Sequence, residues 1–173
     1  NREQLVRMLE ANTMDMVLMG PPPEGLEVES EAFMDNPLVI VAPPEHPLAG
    51  AREVPLARLA QEVFVMREPG SGTRLVMDRF FSDQGIAIQR GMQMTRNEAI
   101  KQSVRAGLGL SLISLHSIEL ELATGKLVVL DVIGLPIQHQ WYLVYRRGKR
   151  LSPSAWAFRE FVLAEARHLA TGT

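Results

Sequence analysis

The sequence predicts an α/β fold: an open, mostly parallel sheet with helices on both faces. Three observations carry that expectation. Short β-prone runs alternate with amphipathic helical stretches along the whole chain. Several of the runs, at 14–19, 37–42 and 108–114, are apolar at most positions, as strands covered on both faces are. Glycine or proline punctuates nearly every junction, and no internal repeat or low-complexity tract interrupts the rhythm.

Taken from the start, Leu5, Met8 and Leu9 share one stripe of a first helix, with polar residues on its other face. The first strand, 14–19, reads as a parallel one; Gly20 ends it, and Pro21, Pro22 and Pro23 stiffen the loop beyond. Residues 26–33 alternate strictly, the pattern of an edge or half-exposed strand. The apolar strand 37–42 is closed off by Pro43, Pro44 and Pro47, which force an extended exit. A short helix at 54–60 leads to a strand at 62–66, after which Leu75, Val76, Phe80 and Phe81 recur at helical spacing. Beyond Gly85 come a strand within 86–94 and a helix over 97–106, capped by Thr95 or Asn97 and stopped by Gly107. The buried run 108–114, a short helix at 117–123, a strand at 127–132 and a last strand at 140–145 follow, with Gly134 and Pro136 as breakers. Ser152 and Pro153 open a final helix whose stripe is Ala155, Phe158, Phe161, Val162 and Ala166.

Composition bounds the function. At 173 residues the chain can form one domain or two small lobes. With 46% hydrophobic and 22% charged residues it is a globular chain rather than a disordered one. A net charge of −2 provides no electrostatic footprint for nucleic acid, so any DNA contact has to come from a segment outside this sequence. Cysteine is absent, which removes disulfides, thiolate nucleophiles and cysteine metal sites and agrees with a reducing cytosol. No apolar run approaches the roughly 18–20 residues of a membrane span, and no signal peptide is visible. The chain opens on Asn1 without an initiator methionine, so a leader or a further domain is expected to have preceded it.

The most informative stretch is Arg67-Glu68-Pro69-Gly70-Ser71-Gly72-Thr73-Arg74, which ends an apolar strand and opens an amphipathic helix. Pro69 and the glycines turn the backbone sharply, while Ser71, Gly72 and Thr73 can cap the helix and aim free N–H groups outward. A carboxylate or phosphate fits such a junction; so does a plain capped helix. Arg67 and Arg74 suit a bidentate anion clamp, or equally ion pairs with Glu68 and Asp78. His46, His116, His139 and His168 form no metal-ligand spacing and read as turn, cap or surface residues, so no metal site is expected. There is no Gly-x-Ser-x-Gly elbow, no dinucleotide fingerprint and no phosphate loop; no catalytic residue and no cofactor are assigned.

These features in sequence order resemble the effector-binding domain of LysR-type transcriptional regulators. The resemblance rests on the unit from Gln4-Leu5 to Met14-Asp15-Met16, the run from Pro37 to Leu48, the turn from Arg67 to Arg74, and the stretch from Ala99 to Gly109. Within the family, Asn1-Arg2-Glu3-Gln4, Met19-Gly20-Pro21-Pro22-Pro23 and the Arg67–Arg74 turn look most like the regulators of Calvin-cycle carbon-fixation operons, usually called CbbR.

The resemblance implies two Rossmann-like lobes of the type II periplasmic-binding kind joined by two crossover segments. On that template, 1–34 with 133–173 form one lobe, incomplete at its start, and 35–132 the other. It implies a small anionic metabolite as effector in the interlobe cleft, and a homodimer or tetramer in which Phe80 or Phe81 is interfacial unless both are core. By the same resemblance, DNA contact is expected only through an N-terminal domain outside this sequence, with no membrane partner and a cytoplasmic location. The family's first strand, helix and second strand are missing ahead of Asn1, so a longer polypeptide or another chain is expected to complete that lobe. Pro21 stands where the carbon-fixation subgroup often carries an arginine. The implied effector contacts are Asn1, Gly20, Pro21, Arg67, Ser71, Gly72, Thr73, Thr95 and Asn97. Solute-binding proteins of the same fold, and less readily an enzyme, are the alternatives; a leader peptide upstream would favour the first and a helix-turn-helix would favour the regulator.

Overall fold

The computed structural model describes the backbone of residues 1–171 and side chains through residue 166; the reading of His168 falls outside the described side chains. Along the chain the elements are α1 (Arg2–Glu10), β1 (Val17–Met19), β2 (Val28–Asp35), β3 (Leu38–Ala42), β4 (Val63–Arg67), α2 (Gly72–Asp83), β5 (Gln89–Met94), α3 (Asn97–Arg105), β6 (Ser111–Ser114), α4 (Glu119–Ala123), β7 (Val128–Val129), β8 (Gln140–Arg146) and α5 (Pro153–Thr171). Tight 3-10 turns, Leu56–Gln61 and Leu115–Ile118, precede β4 and α4. The chain divides into two compact units, Pro37–Gln138 and Asn1–Asn36 with the segment from His139 onward. Residues 133–138 stay with the middle unit because Ile137 bridges Leu38 and the Ile133 N–H donates to Val54 O at 3.0 Å. The crossing therefore falls later than the 132/133 boundary read from sequence.

In the terminal unit β8 is central, with β1 on one side and β2 on the other, both antiparallel to it. The parallel, doubly covered strand expected at 14–19 is corrected here. Only Val17–Met19 pairs, it runs against β8, and Leu18 is 39% exposed while Val17 and Met19 are buried with Leu9 and Val144. Unbroken apolarity marked burial, but strand direction is set by connection, which apolarity does not encode. Helix α5 buries the small residues Ala155 and Ala166 and leaves Phe158 and Phe161 exposed, so the expected five-residue stripe is only partly inward. Arg159 fastens α5 to β2 through two bonds to the Glu31 carboxylate, 2.8 and 2.7 Å, with its guanidinium 4.9 Å from the Trp156 ring centre.

In the middle unit β3 alternates strictly between two cores, which is why every one of its residues is buried. Leu38, Ile40 and Ala42 join Phe64, Met66, Leu112 and the α2 residues Met77 and Phe81 on one face. Val39 and Val41 join Val65, Ile113 and the α3 residues Ile100 and Val104 on the other. The expected two-faced α/β packing is present, with α2 and α3 on opposite sides. Parallel pairing is less common than expected: β3 lies antiparallel between β6 and β7, and only β4–β5 and the bridges Phe64–Leu110 and Val54–Val132 are parallel. Phe81 is core, packed edge-on to Phe64 at 5.5 Å between ring centres, and Phe80 packs edge-on to Phe81 at 5.6 Å. Leu75, at 55% exposure, is the apolar residue that α2 shows to solvent.

Candidate functional site

Strands β4 and β5 run parallel and end level, since Arg67 pairs with Met94 and the Glu68 N–H donates to Met94 O at 3.1 Å. Each strand then leads into a helix, α2 after β4 and α3 after β5. Two level parallel strands followed by helices deliver two helix N-termini to the same sheet edge, where unpaired N–H groups and the positive dipole ends concentrate. The turn between β4 and α2 is made by Gly70 in the left-handed region (φ 85°) and by the Ser71 N–H donating to Glu68 O at 3.2 Å.

The sequence-predicted residues of this unit come together here. Arg67 binds Glu68 at both ends of its carboxylate, 2.9 and 3.2 Å, and donates from Nη1 to Asn97 Oδ1 at 2.9 Å, tying the start of α3 to the end of β4. Arg74 turns inward: only 6% exposed, it donates to Asp78 Oδ2 at 2.7 Å and to the Arg67 carbonyl at 3.1 Å, so it serves as an internal brace. Ser71 stands at the N-cap of α2 with 3% exposure, yet its hydroxyl makes no capping hydrogen bond. Gly72 and Thr73 form the first turn of the helix, both half-buried. The expected cap of α3 is corrected: Arg96 holds the N-cap position without a side-chain bond, Asn97 is the first helical residue with its carbonyl oxygen bound to Arg67, and Thr95 is exposed in the bend before it.

In the terminal unit Asn1 caps α1 through a full capping box with Gln4, its Oδ1 accepting from the Gln4 N–H at 3.2 Å. Arg2 donates to the Pro21 carbonyl at 3.2 Å. Gly20 lies against His139, whose Nε2 sits 2.6 Å from where a Cβ would be, so no side chain fits at Gly20 unless the ring moves. The sequence reading foresaw neither the contact of Arg2 with Pro21 nor that of His139 with Gly20. His139 lies immediately before β8, and its approach to Gly20 spans most of the chain, which local spacing does not register. Burial first and the Arg2 charge second hold its pKa below the usual histidine value.

Below the α3 end, Lys101 bridges Glu98 at 2.8 Å and Glu121 of α4 at 2.9 Å. Those hydrogen bonds, Glu98 first and then Glu121, raise the lysine pKa, and Lys101 in turn lowers that of Glu98. His46 accepts the Leu48 N–H on Nδ1 and faces Glu62 at 3.4 Å, and His116 faces Glu119 at 3.3 Å; both are turn residues. No cluster of three or more histidines or carboxylates capable of holding a metal occurs among the described residues, and no described helix is long and apolar enough to cross a membrane.

Comparison with known proteins follows the same lines. Residues 1–167 match the family model of the LysR substrate binding domain. A RuBisCO operon transcriptional regulator of Allochromatium vinosum is 69% identical over 98% of this chain and 56% of its own length. The HTH-type transcriptional activator CmpR of Synechocystis is 42% identical over 95% of this chain and 54% of its own length. The chain spans about half the length of the curated relatives it matches. Among solved structures, the regulatory domain of Synechocystis PCC6803 CcmR in complex with 2-PG superposes with a TM-score of 0.91 at 36% identity, covering 96% of this chain and 80% of that one. The effector binding domain of QuiR gives 0.83 at 22% identity over 95% of this chain and 78% of that one, a likeness of fold. The fold class is accordingly α/β with two Rossmann-like lobes of the type II periplasmic-binding kind. The chain belongs to the LysR substrate-binding-domain family, and within it stands beside the regulators of RuBisCO operons.

Proposed function

We propose that this chain senses a small anionic metabolite for a CbbR-like transcriptional regulator and has no catalytic role. The observation that carries the reading is the pair of helix N-termini at the level ends of β4 and β5, tied by the Arg67–Asn97 bond. Gly72 and Thr73 donate to the anion through backbone N–H groups and Ser71 and Thr73 through hydroxyls, with Thr95 and Asn97 at the neighbouring helix start. Arg67 positions the two ends. The 2-PG named in the CcmR complex is a ligand of the kind this arrangement suits. Asn1, Gly20 and Pro21 of the terminal unit are proposed as effector contacts in their own right.

Signalling by such a domain requires unequal affinity for two conformations, and DNA contact lies with a part of the protein outside this chain. A homodimer or tetramer in the cytoplasm completes the proposal. Calorimetric titration with 2-phosphoglycolate, inorganic phosphate and small dicarboxylates, repeated on the Ser71→Ala/Thr73→Ala variant, tests it. We expect saturable binding by at least one of these anions and a loss of about tenfold or more in the variant. Equal affinities would remove the turn from the site.

A further inference from the structure

The arginine best placed to clamp an anion already holds one. Glu68 grips Arg67 in a bidentate pair, and both side chains are mostly buried, at 18% and 17% exposure. The third guanidinium nitrogen is held by Asn97. We propose that Glu68 is the specificity-determining residue of the effector site: it occupies Arg67 as an internal carboxylate, so that the site answers to phosphomonoester dianions and rejects monocarboxylates. The inference rests on the functional reading given above.

Glu68 acts by competition. A ligand carboxylate arriving at Arg67 would replace a group of the same charge and shape, so it gains nothing in Coulomb energy. It would also have to displace a tethered competitor whose effective concentration far exceeds that of a free metabolite. Binding a small monocarboxylate thus gives up translational freedom for no electrostatic return. A phosphomonoester differs in two respects. Its doubled charge roughly doubles the attraction to Arg67 and to the helix ends. It also carries enough oxygens to engage the N–H groups of Gly72 and Thr73 and the Ser71 hydroxyl, which lacks a capping bond, while one oxygen takes the place of Glu68.

The test compares 2-phosphoglycolate with glycolate on the wild-type protein and on Glu68→Gln, which keeps the shape and removes the charge. The expected result is that wild type prefers 2-phosphoglycolate strongly, and that Glu68→Gln binds glycolate about tenfold or more tightly than before, shrinking the preference by at least that factor. Arg67→Gln combined with Glu68→Gln should then lose the gained glycolate affinity, which separates release of Arg67 from a general loss of negative charge. Thermal unfolding of each variant reports whether it is folded, and Glu68→Asp, which keeps the charge, should retain the preference if Glu68→Gln proves unstable. If wild type binds the phosphomonoester but the preference is the same in Glu68→Gln, the inference is wrong and the anion-sensing reading stands. If wild type binds neither, both fall.

Discussion

Arg67 and Asn97 lie 30 residues apart in sequence and are joined by a 2.9 Å hydrogen bond from Nη1 to Oδ1. The bond closes a loop of chain that contains all of α2 and β5, and it fixes the start of one helix to the end of the strand that feeds the other. It adds a side-chain tie to the Arg67–Met94 pairing that already sets the two strand ends level.

Replacing Asn97 with alanine should therefore weaken anion binding more than it weakens the fold. A hydrogen bond to a charged donor is worth about 1.5–3 kcal/mol, so urea unfolding should show a loss of that order. Titration of the same variant with 2-phosphoglycolate should show the larger deficit. A variant that unfolds early but binds normally would make the bond purely structural.

Gly109 holds φ at 146°, and a Cβ there would stand 2.5 Å from the Val63 carbonyl oxygen. The neighbouring backbone is pinned, because the Leu110 N–H donates to that same oxygen at 2.8 Å. Gly109→Ala should cost about 3 kcal/mol or more through clash and backbone strain. Its midpoint in chemical denaturation is the readout, and a wild-type midpoint would show that the strand spacing is softer than the geometry implies.

Lys101 and Glu121 form a pair with little solvent, the side chains being 13% and 9% exposed, and Glu121 Oε2 has no hydrogen-bond partner. Lys101→Met should cost about 3 kcal/mol because it leaves a buried carboxylate unpaired, whereas Lys101→Met with Glu121→Leu should recover most of the loss. Since the lysine pKa is raised on folding, its contribution is complete below the unfolded lysine value and fades as pH rises through the folded one. Stability curves of the two variants at neutral and alkaline pH would separate charge from packing; a double variant no better than the single would contradict the account.

His139 supplies a pH signature of the terminal unit. Its folded pKa lies below its unfolded value, so the unfolded chain binds the proton more readily. The stability it confers is complete above the unfolded value of about 6.5 and is lost as pH falls toward the lower folded value. His139→Gln should flatten that part of the stability–pH curve. A titration of the imidazole by NMR that gave an ordinary or elevated pKa would refute the burial argument.

Local chemistry made much of this molecule legible. The strand–turn–helix from Val63 to Asp83 follows from an apolar run, a proline and glycine turn and helical spacing, and it forms where the spacing put it. The two faces of β3 follow from an unbroken apolar run. What the sequence did not carry was pairing direction and long-range approach. Val17–Met19 reads as parallel and runs antiparallel, because direction depends on which distant strand returns beside it. The capture of Asn97 by Arg67 and the closeness of His139 to Gly20 are products of contacts between segments far apart in the chain. Of the two readings the sequence left open for Arg74, anion clamp or ion pair with Asp78, the side chain takes the ion pair, four residues on along α2.

An anion on the paired helix starts would be measured most directly by backbone amide shifts. On adding 2-phosphoglycolate, the N–H signals of Gly72, Thr73 and Asn97 should move together and saturate at one dissociation constant, while those around His46 and Glu62, at the other end of β4, stay still. Shifts confined to other parts of the chain, or none at these three amides, would contradict the account.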